Sequence, residues 1–208
     1  MGNAEARLEV LTRINRAVAG VQAPALPAYP QCERLEREAM LRQFQDRIED
    51  YRASFQRVAQ TEVAGAVALA LAGAERVVVP AGLNPAFLPT GLHELHDDPP
   101  LSHAGLDRAE AVVTGCAVAI SETGTIILDH GVDQGRRALT LIPDLHICVI
   151  RAEQIVQSVL DGVQRMEGSV GAGRPLTWIS GGSATSDIEL VRVEGVHGPR
   201  RLCVVVLD

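Results

Sequence analysis

The chain has 208 residues, 47% hydrophobic and 22% charged, enough for one substantial core in one large domain or one domain with an extension. Its net charge of −7 argues against a partner recognised through a phosphate backbone, so no nucleic-acid binding is expected. All 19 basic residues are Arg, which excludes a Schiff-base lysine and a Walker-type phosphate lysine from this chain.

In chain order, Leu8, Leu11, Ile14 and Val18 fall on one face at three- and four-residue spacing, with Asn3 placed to cap a first helix. The proline-rich "APALPAYP" (23–30) breaks it. Leu41, Phe44, Ile48, Tyr51, Phe55 and Val58 then continue the same spacing as a heptad-like seam. That seam is expected to dock on its own domain, on the first helix, or on a second copy of the chain in a homo-oligomer. Residues 1–60 are therefore expected as a helical arm, and 61–208 as the α/β domain.

From Thr61 the pattern changes. "TEVAGAVALALAGA" predicts a helix capped by Thr61, and "RVVVP" a buried strand stopped by Pro80. "AEAVVTG", "CAVAIS", "TIILDH" and "HICVIRA" are β-branched runs of strand length. "AEQIVQSVLDGVQRM" predicts a helix with Ile155, Val159 and Val163 on one stripe, and "PLTWIS" and "RRLCVVVLD" supply the last strands. Helices alternating with strands that are apolar on both faces indicate an α/β fold with a mostly parallel core. Between "VAIS" and "TIIL" there is room only for a hairpin or sharp bend at Glu122, Thr123 and Gly124.

The four cysteines, Cys32, Cys116, Cys148 and Cys203, are far apart in sequence, so an iron–sulfur or structural zinc site is not expected in this chain. No apolar run reaches a bilayer span and the N-terminus has no signal core, so a cytoplasmic protein without a membrane span is expected. "HELHDD" (93–98) pairs histidines with acids in what is expected to be a proline-rich loop, a weak signal for metal.

Two stretches carry candidate chemistry. In "WISGGSATSDIEL", Gly181 and Gly182 permit close backbone approach after a strand. Thr185 or Ser186 would cap a helix running through Leu190, and amides with the hydroxyls of Ser183, Thr185 and Ser186 would cradle a carboxylate or phosphate. The acids Asp187 and Glu189 would oppose an anion there. In "ISETGTIILDHG", Glu122 stands in a turn as a candidate acid, base or nucleophile, beside Thr123, Gly124 and Thr125. "DHGVDQGRRALTLIPDLHI" adds Asp129, His130, Arg136, Arg137, Asp144 and His146 in loops beside strands. Arg136 or Arg200 would supply a counter-charge for an anion, Arg137 would equally pair with Asp144, and His197 is a titratable group in the turn before the last strand.

"TGCAVAISETGTIIL", "RRALTLIPDLHICVIRAEQIV" and "GGSATSDIELVRVEGVHGPRRLCVVVL" resemble the LUD domain family of lactate utilization protein C, over residues 61–208. The resemblance implies a Rossmann-like three-layer α/β fold similar to the NagB/RpiA/CoA-transferase group. It further implies a role in converting L-lactate to pyruvate beside iron–sulfur partner proteins, with no cluster in this chain. The motif positions carried by the resemblance are Glu122 to Thr125, and Ser183, Thr185, Ser186, Asp187 and Glu189. A different reading also fits this fold group: a stand-alone isomerase, CoA-transferase or cyclo-ligase, with Glu122 reactive and the Ser183–Asp187 loop holding phosphate.

Overall fold

A computed structural model describes residues 3–21, 25, 33–186, 192–195 and 197–208. Contacts divide the chain at residues 33 and 34, into a short N-terminal unit and a compact unit from Arg34 to Asp208. In the first unit, helix α1 (Asn3–Val18) forms as the apolar spacing predicts.

The second unit opens with α2 (Arg37–Asp50), whose Leu41, Phe44 and Ile48 are buried. Here the expected seam ends. Tyr51 closes the helix and is exposed, Arg52 turns the chain with positive φ, and Phe55 and Val58 lie on strand β1 (Ser54–Val58). Residues 54–58 are thus part of the sheet rather than a helical arm. The reason is visible in the packing: Phe55 meets Phe44 edge-to-face at 6.2 Å, a contact made between α2 and β1 and not along one helix.

Helix α3 (Val63–Leu71) follows a short 3-10 turn at Gln60–Glu62. Thr61 lies inside that turn, and the Glu62 carboxylate accepts from the Ala59 amide at 3.1 Å, so the Thr61 cap does not form. Next come β2 (Arg76–Val79), β3 (His93–His96), α4 (His103–Asp107) and β4 (Ala111–Thr114). The hairpin of β5 (Val118–Ile120) and β6 (Thr125–Leu128) forms as the sequence indicates, with Gly124 at φ +60° in its turn. Strand β7 (Leu145–Arg151) leads through Ala152–Gln154 into β8 (Ile155–Val156). Ile155 is therefore a strand residue. The expected long helix starts only at α5 (Val159–Arg165), capped by the Ser158 hydroxyl, with α6 (Glu167–Gly171) after it. Strands β9 (Thr177–Ile179), β10 (Ala184–Ser186), β11 (Arg192–Glu194) and β12 (Arg201–Leu207) complete the unit.

Six strands form one wholly parallel sheet in the order β1-β12-β7-β4-β2-β3. This is the Rossmann-like α/β arrangement, with the near-continuous apolar strands that a sheet covered on both faces requires. A second, mixed sheet in the order β8-β5-β6-β9 packs over one face. Val77, Val113, Ile147 and Val205 point towards α3, while Cys148, Ile150, Val204 and Val206 point towards α2 and the second sheet. On the far side of the second sheet, Ile120 and Ile127 pack with Met166, and Gly162 of α5 comes so close that a Cβ there would meet Ile120 Cδ1 at 2.7 Å.

The order of the parallel sheet fixes where ligands can enter. The crossover from β2 leads outward to β3, and β4 returns to the other side of β2. This reversal leaves a crevice beyond the carboxyl ends of β2 and β4.

Candidate functional site

Two cavities flank the loop from Asp129 to Leu141, and the candidate residues divide between them. The larger, about 830 Å3, lies at the sheet reversal. Pro80 and Ala81 come from the end of β2, Asp97 and Asp98 from the end of β3, and residues 129–137 close the remaining wall. The loop is tightly held. Gln134 Oε1 accepts from the amides of Asp129 and His130, His130 has φ +57°, and its Nε2 lies 2.9 Å from Thr177 Oγ1.

The charges in this cavity are largely matched. Arg136 grips Asp97 with two hydrogen bonds of 2.7 and 2.9 Å and also donates to the Leu101 carbonyl. Burial works to raise the Asp97 carboxyl, but the Arg136 guanidinium and the Leu101 amide together hold it below the ordinary range. Asp129 is likewise held low against burial by the Ser169 hydroxyl and the Gly131 amide, with Arg174 adding a 2.9 Å ion pair. The counter-charge expected of Arg136 is thus already committed to Asp97. Arg200 is committed too, donating to Asp144 at 2.6 Å. Asp144 therefore pairs with Arg200, not with Arg137.

The second cavity, about 330 Å3, is walled by the "SGGS" segment (Ser180 to Ser183), by Trp178, and by Arg137, His146 and His197. Its geometry differs from the expected cradle. Residues 184–186 are strand β10, paired antiparallel with β11, so Thr185 and Ser186 do not cap a helix there. Asp187 and Glu189 lie outside the described residues. The amide of Ser183 donates to the Pro199 carbonyl at 2.7 Å, and the Ser183 hydroxyl accepts from the His197 amide at 3.1 Å. That amide is already engaged and is not left for an anion. Gly181 has φ +85° and a Cβ on it would meet Tyr51 Cβ at 2.6 Å, while a Cβ on Gly182 would strike the Arg200 carbonyl. Both glycines are required by backbone packing. The expectation of a cap at Thr185 or Ser186 rests on the preference of Ser and Thr for helix starts, whereas residues 184–186 pair as a strand and the Ser183 hydroxyl holds the His197 amide.

Glu122 lines neither cavity. It is exposed on the β5–β6 turn, where its carbonyl accepts from Arg47 Nε at 3.3 Å and its amide donates to the Gln157 carbonyl. Its motif neighbours do not line the second cavity either, but a chain of hydroxyls ties them to Ser180, which does. Thr123 Oγ1 lies 2.7 Å from Thr125 Oγ1, which lies 2.9 Å from Ser180 Oγ. Gly124 presses on α2, where a Cβ would meet Arg47 Cβ at 2.7 Å.

His146, which the sequence offers both as a loop group and as the first residue of the strand-like run "HICVIRA", belongs to the strand. It sits on β7, 1% exposed, and its Nε2 lies 2.8 Å from the buried Thr114 hydroxyl on the neighbouring strand β4. Burial lowers its pKa to about 4, so the ring is neutral near pH 7. Among the described residues no three His, Cys, Asp or Glu side chains converge as a metal-holding group, and no helix is long and apolar enough to cross a membrane. "HELHDD" contributes β3 and Asp97 to the larger cavity, and Cys32 lies outside the described residues.

A parallel sheet with a crevice at its order reversal defines an α/β protein of the Rossmann-like class. The particular family follows from comparison: the LUD domain family matches residues 103–207, and the chain belongs to it. It is 65% identical to lactate utilization protein C of Deinococcus radiodurans, over 98% of this chain and 96% of that one. Lactate utilization protein C of Geobacillus kaustophilus is 27% identical over 99% of this chain and 96% of its own. A crystal structure of a duf162 family protein from Deinococcus radiodurans superposes with a TM-score of 0.77 at 59% identity, covering 84% of this chain and all of that one.

Proposed function

We propose that this protein takes part in lactate utilization, as a non-redox component of a system that oxidises L-lactate to pyruvate. In this reading the iron–sulfur clusters belong to partner proteins, and this chain docks with them and holds a small carboxylate. The observation that carries the reading is the 65% identity, over nearly the whole length of both chains, to a protein named for lactate utilization. The cysteine chemistry is consistent with it. Cys116 and Cys148 are buried free thiols and Cys203 is half-buried, a set suited to packing rather than to cluster ligation. The test is genetic and biochemical: a strain lacking the chain should lose growth on L-lactate as carbon source, and the tagged protein should retain an iron–sulfur protein through purification. Normal growth of that strain on L-lactate would refute the proposal.

One observation favours a second reading, a stand-alone enzyme of the isomerase, CoA-transferase or cyclo-ligase kind. The 830 Å3 crevice at the sheet reversal is large enough for a nucleotide-sized ligand. Isothermal titration of the pure protein with acyl-CoA, sugar phosphates and ATP separates the two, because saturable binding followed by turnover is expected only of the enzyme.

A further inference from the structure

The smaller cavity contains a feature that the fold alone does not require. His146 is almost wholly buried, and its Nε2 is satisfied by Thr114. Its second ring nitrogen, Nδ1, has no partner among the described residues. No buried side-chain polar atom there is both sealed and unpartnered, so Nδ1 faces the cavity that His146 lines. A buried imidazole with one nitrogen held and the other open to a cavity is a hydrogen-bonding group awaiting a ligand.

We propose that the Thr114–His146 pair and Arg137 form a binding site for a small carboxylate that carries a neighbouring hydroxyl or carbonyl oxygen. Arg137 lines the cavity, is exposed, and makes no ion pair with another described residue, so its guanidinium is available to a carboxylate. The cavity, about 330 Å3, has room for a small organic acid.

The Thr114 hydroxyl determines what His146 can read. A threonine hydroxyl both donates and accepts. When it donates to Nε2, the ring carries its proton on Nδ1 and donates to a carbonyl oxygen. When it accepts from Nε2–H, Nδ1 is a bare acceptor for a ligand hydroxyl. The pair therefore recognises a hydroxy acid and the corresponding oxo acid by exchanging tautomers, without moving backbone or changing net charge.

This inference rests on the lactate reading for its choice of probes, but its test is independent of growth. The full-length protein, labelled with 15N, is titrated with L-lactate, pyruvate and acetate while the imidazole nitrogens are followed, with His146 assigned by loss of its signals in His146→Gln. L-lactate and pyruvate should shift the His146 nitrogens saturably and in opposite tautomeric senses, and acetate should bind more weakly. Arg137→Gln, at an exposed position that folding tolerates, should weaken both acids by roughly ten- to a hundredfold. Thr114→Val should remove the difference in tautomer. Absence of a saturable His146 shift with both acids overturns the proposal, as does unchanged binding in Arg137→Gln or acetate binding as tightly as the two acids. If the deletion strain loses growth on L-lactate while the pure protein binds neither acid, this site and the carboxylate-holding part of the proposed function fail, and the role in lactate utilization stands.

Discussion

At the scale of single residues, His146 makes stability depend on pH. Its pKa is about 4 in the fold and 6.5 when free, so between those values the unfolded chain binds the proton that the folded chain excludes. Stability should be fully present above pH 6.5, fall as pH drops through that window, and level off below about 4, losing roughly 3 kcal/mol from this group. Denaturant unfolding at pH 7 and pH 5 reads this out, and His146→Gln should show a smaller loss between the two. Glu122 gives the contrasting case. Exposed on its turn and bonded through its backbone, it should tolerate Glu122→Gln within about 0.5 kcal/mol, with carboxylate binding unaltered. A large drop in stability or binding would show that its carboxylate has a role the described contacts lack.

At the scale of elements, α2 anchors the face on which the second sheet lies. Ile48 has no exposed surface and packs with Cys148, Ile150 and Val204. Ile48→Asp should cost roughly 4 kcal/mol or more, a large fraction of a typical domain's stability, and thermal melting would detect it directly. The strands legible in the sequence were β2, β4, β5, β6, β7, β9 and β12, because each falls in an apolar or β-branched run of strand length. Two of the illegible ones, β1 and β8, share a cause. Phe55 and Val58 of β1, and Ile155 of β8, happen to continue a three- and four-residue spacing begun by a true helix or shared with one, so periodicity alone extends the helix across them. The candidate site was legible only in part. Of the second cavity's wall, Gly181, Gly182 and Ser183 were marked by their residue types, whereas the Ser180 hydroxyl was not. The Thr114–His146 contact was not, because it depends on β4 lying beside β7, which is a fact of sheet order rather than of local sequence.

At the scale of the molecule, the unit from Arg34 to Asp208 carries its own core. Arg57 fastens β1 to it, donating to Glu38 of α2 at 2.7 and 2.8 Å and to Asp208 at 2.8 and 3.0 Å. Glu38 and then Asp208 raise the Arg57 pKa, so this cation stays charged at any pH the fold survives. A chain beginning at residue 34 should therefore unfold cooperatively and retain the melting temperature of the full chain within a few degrees, as scanning calorimetry would show. Loss of cooperativity would mean that the first 33 residues are needed to complete the core.

Strand β12 lies between β1 and β7, pairing Ser54 with Cys203 on one side and Ile147 with Cys203 on the other. A ribosome working from the N-terminus makes both neighbours long before the strand that joins them. Until residue 207 has emerged, β1 has no sheet to join and β7 presents an open, apolar edge, the kind of surface that other chains pair with. The nascent protein must be shielded while residues 152–207 are being added, and a chain halted at residue 200 should be captured by chaperones or aggregate rather than fold.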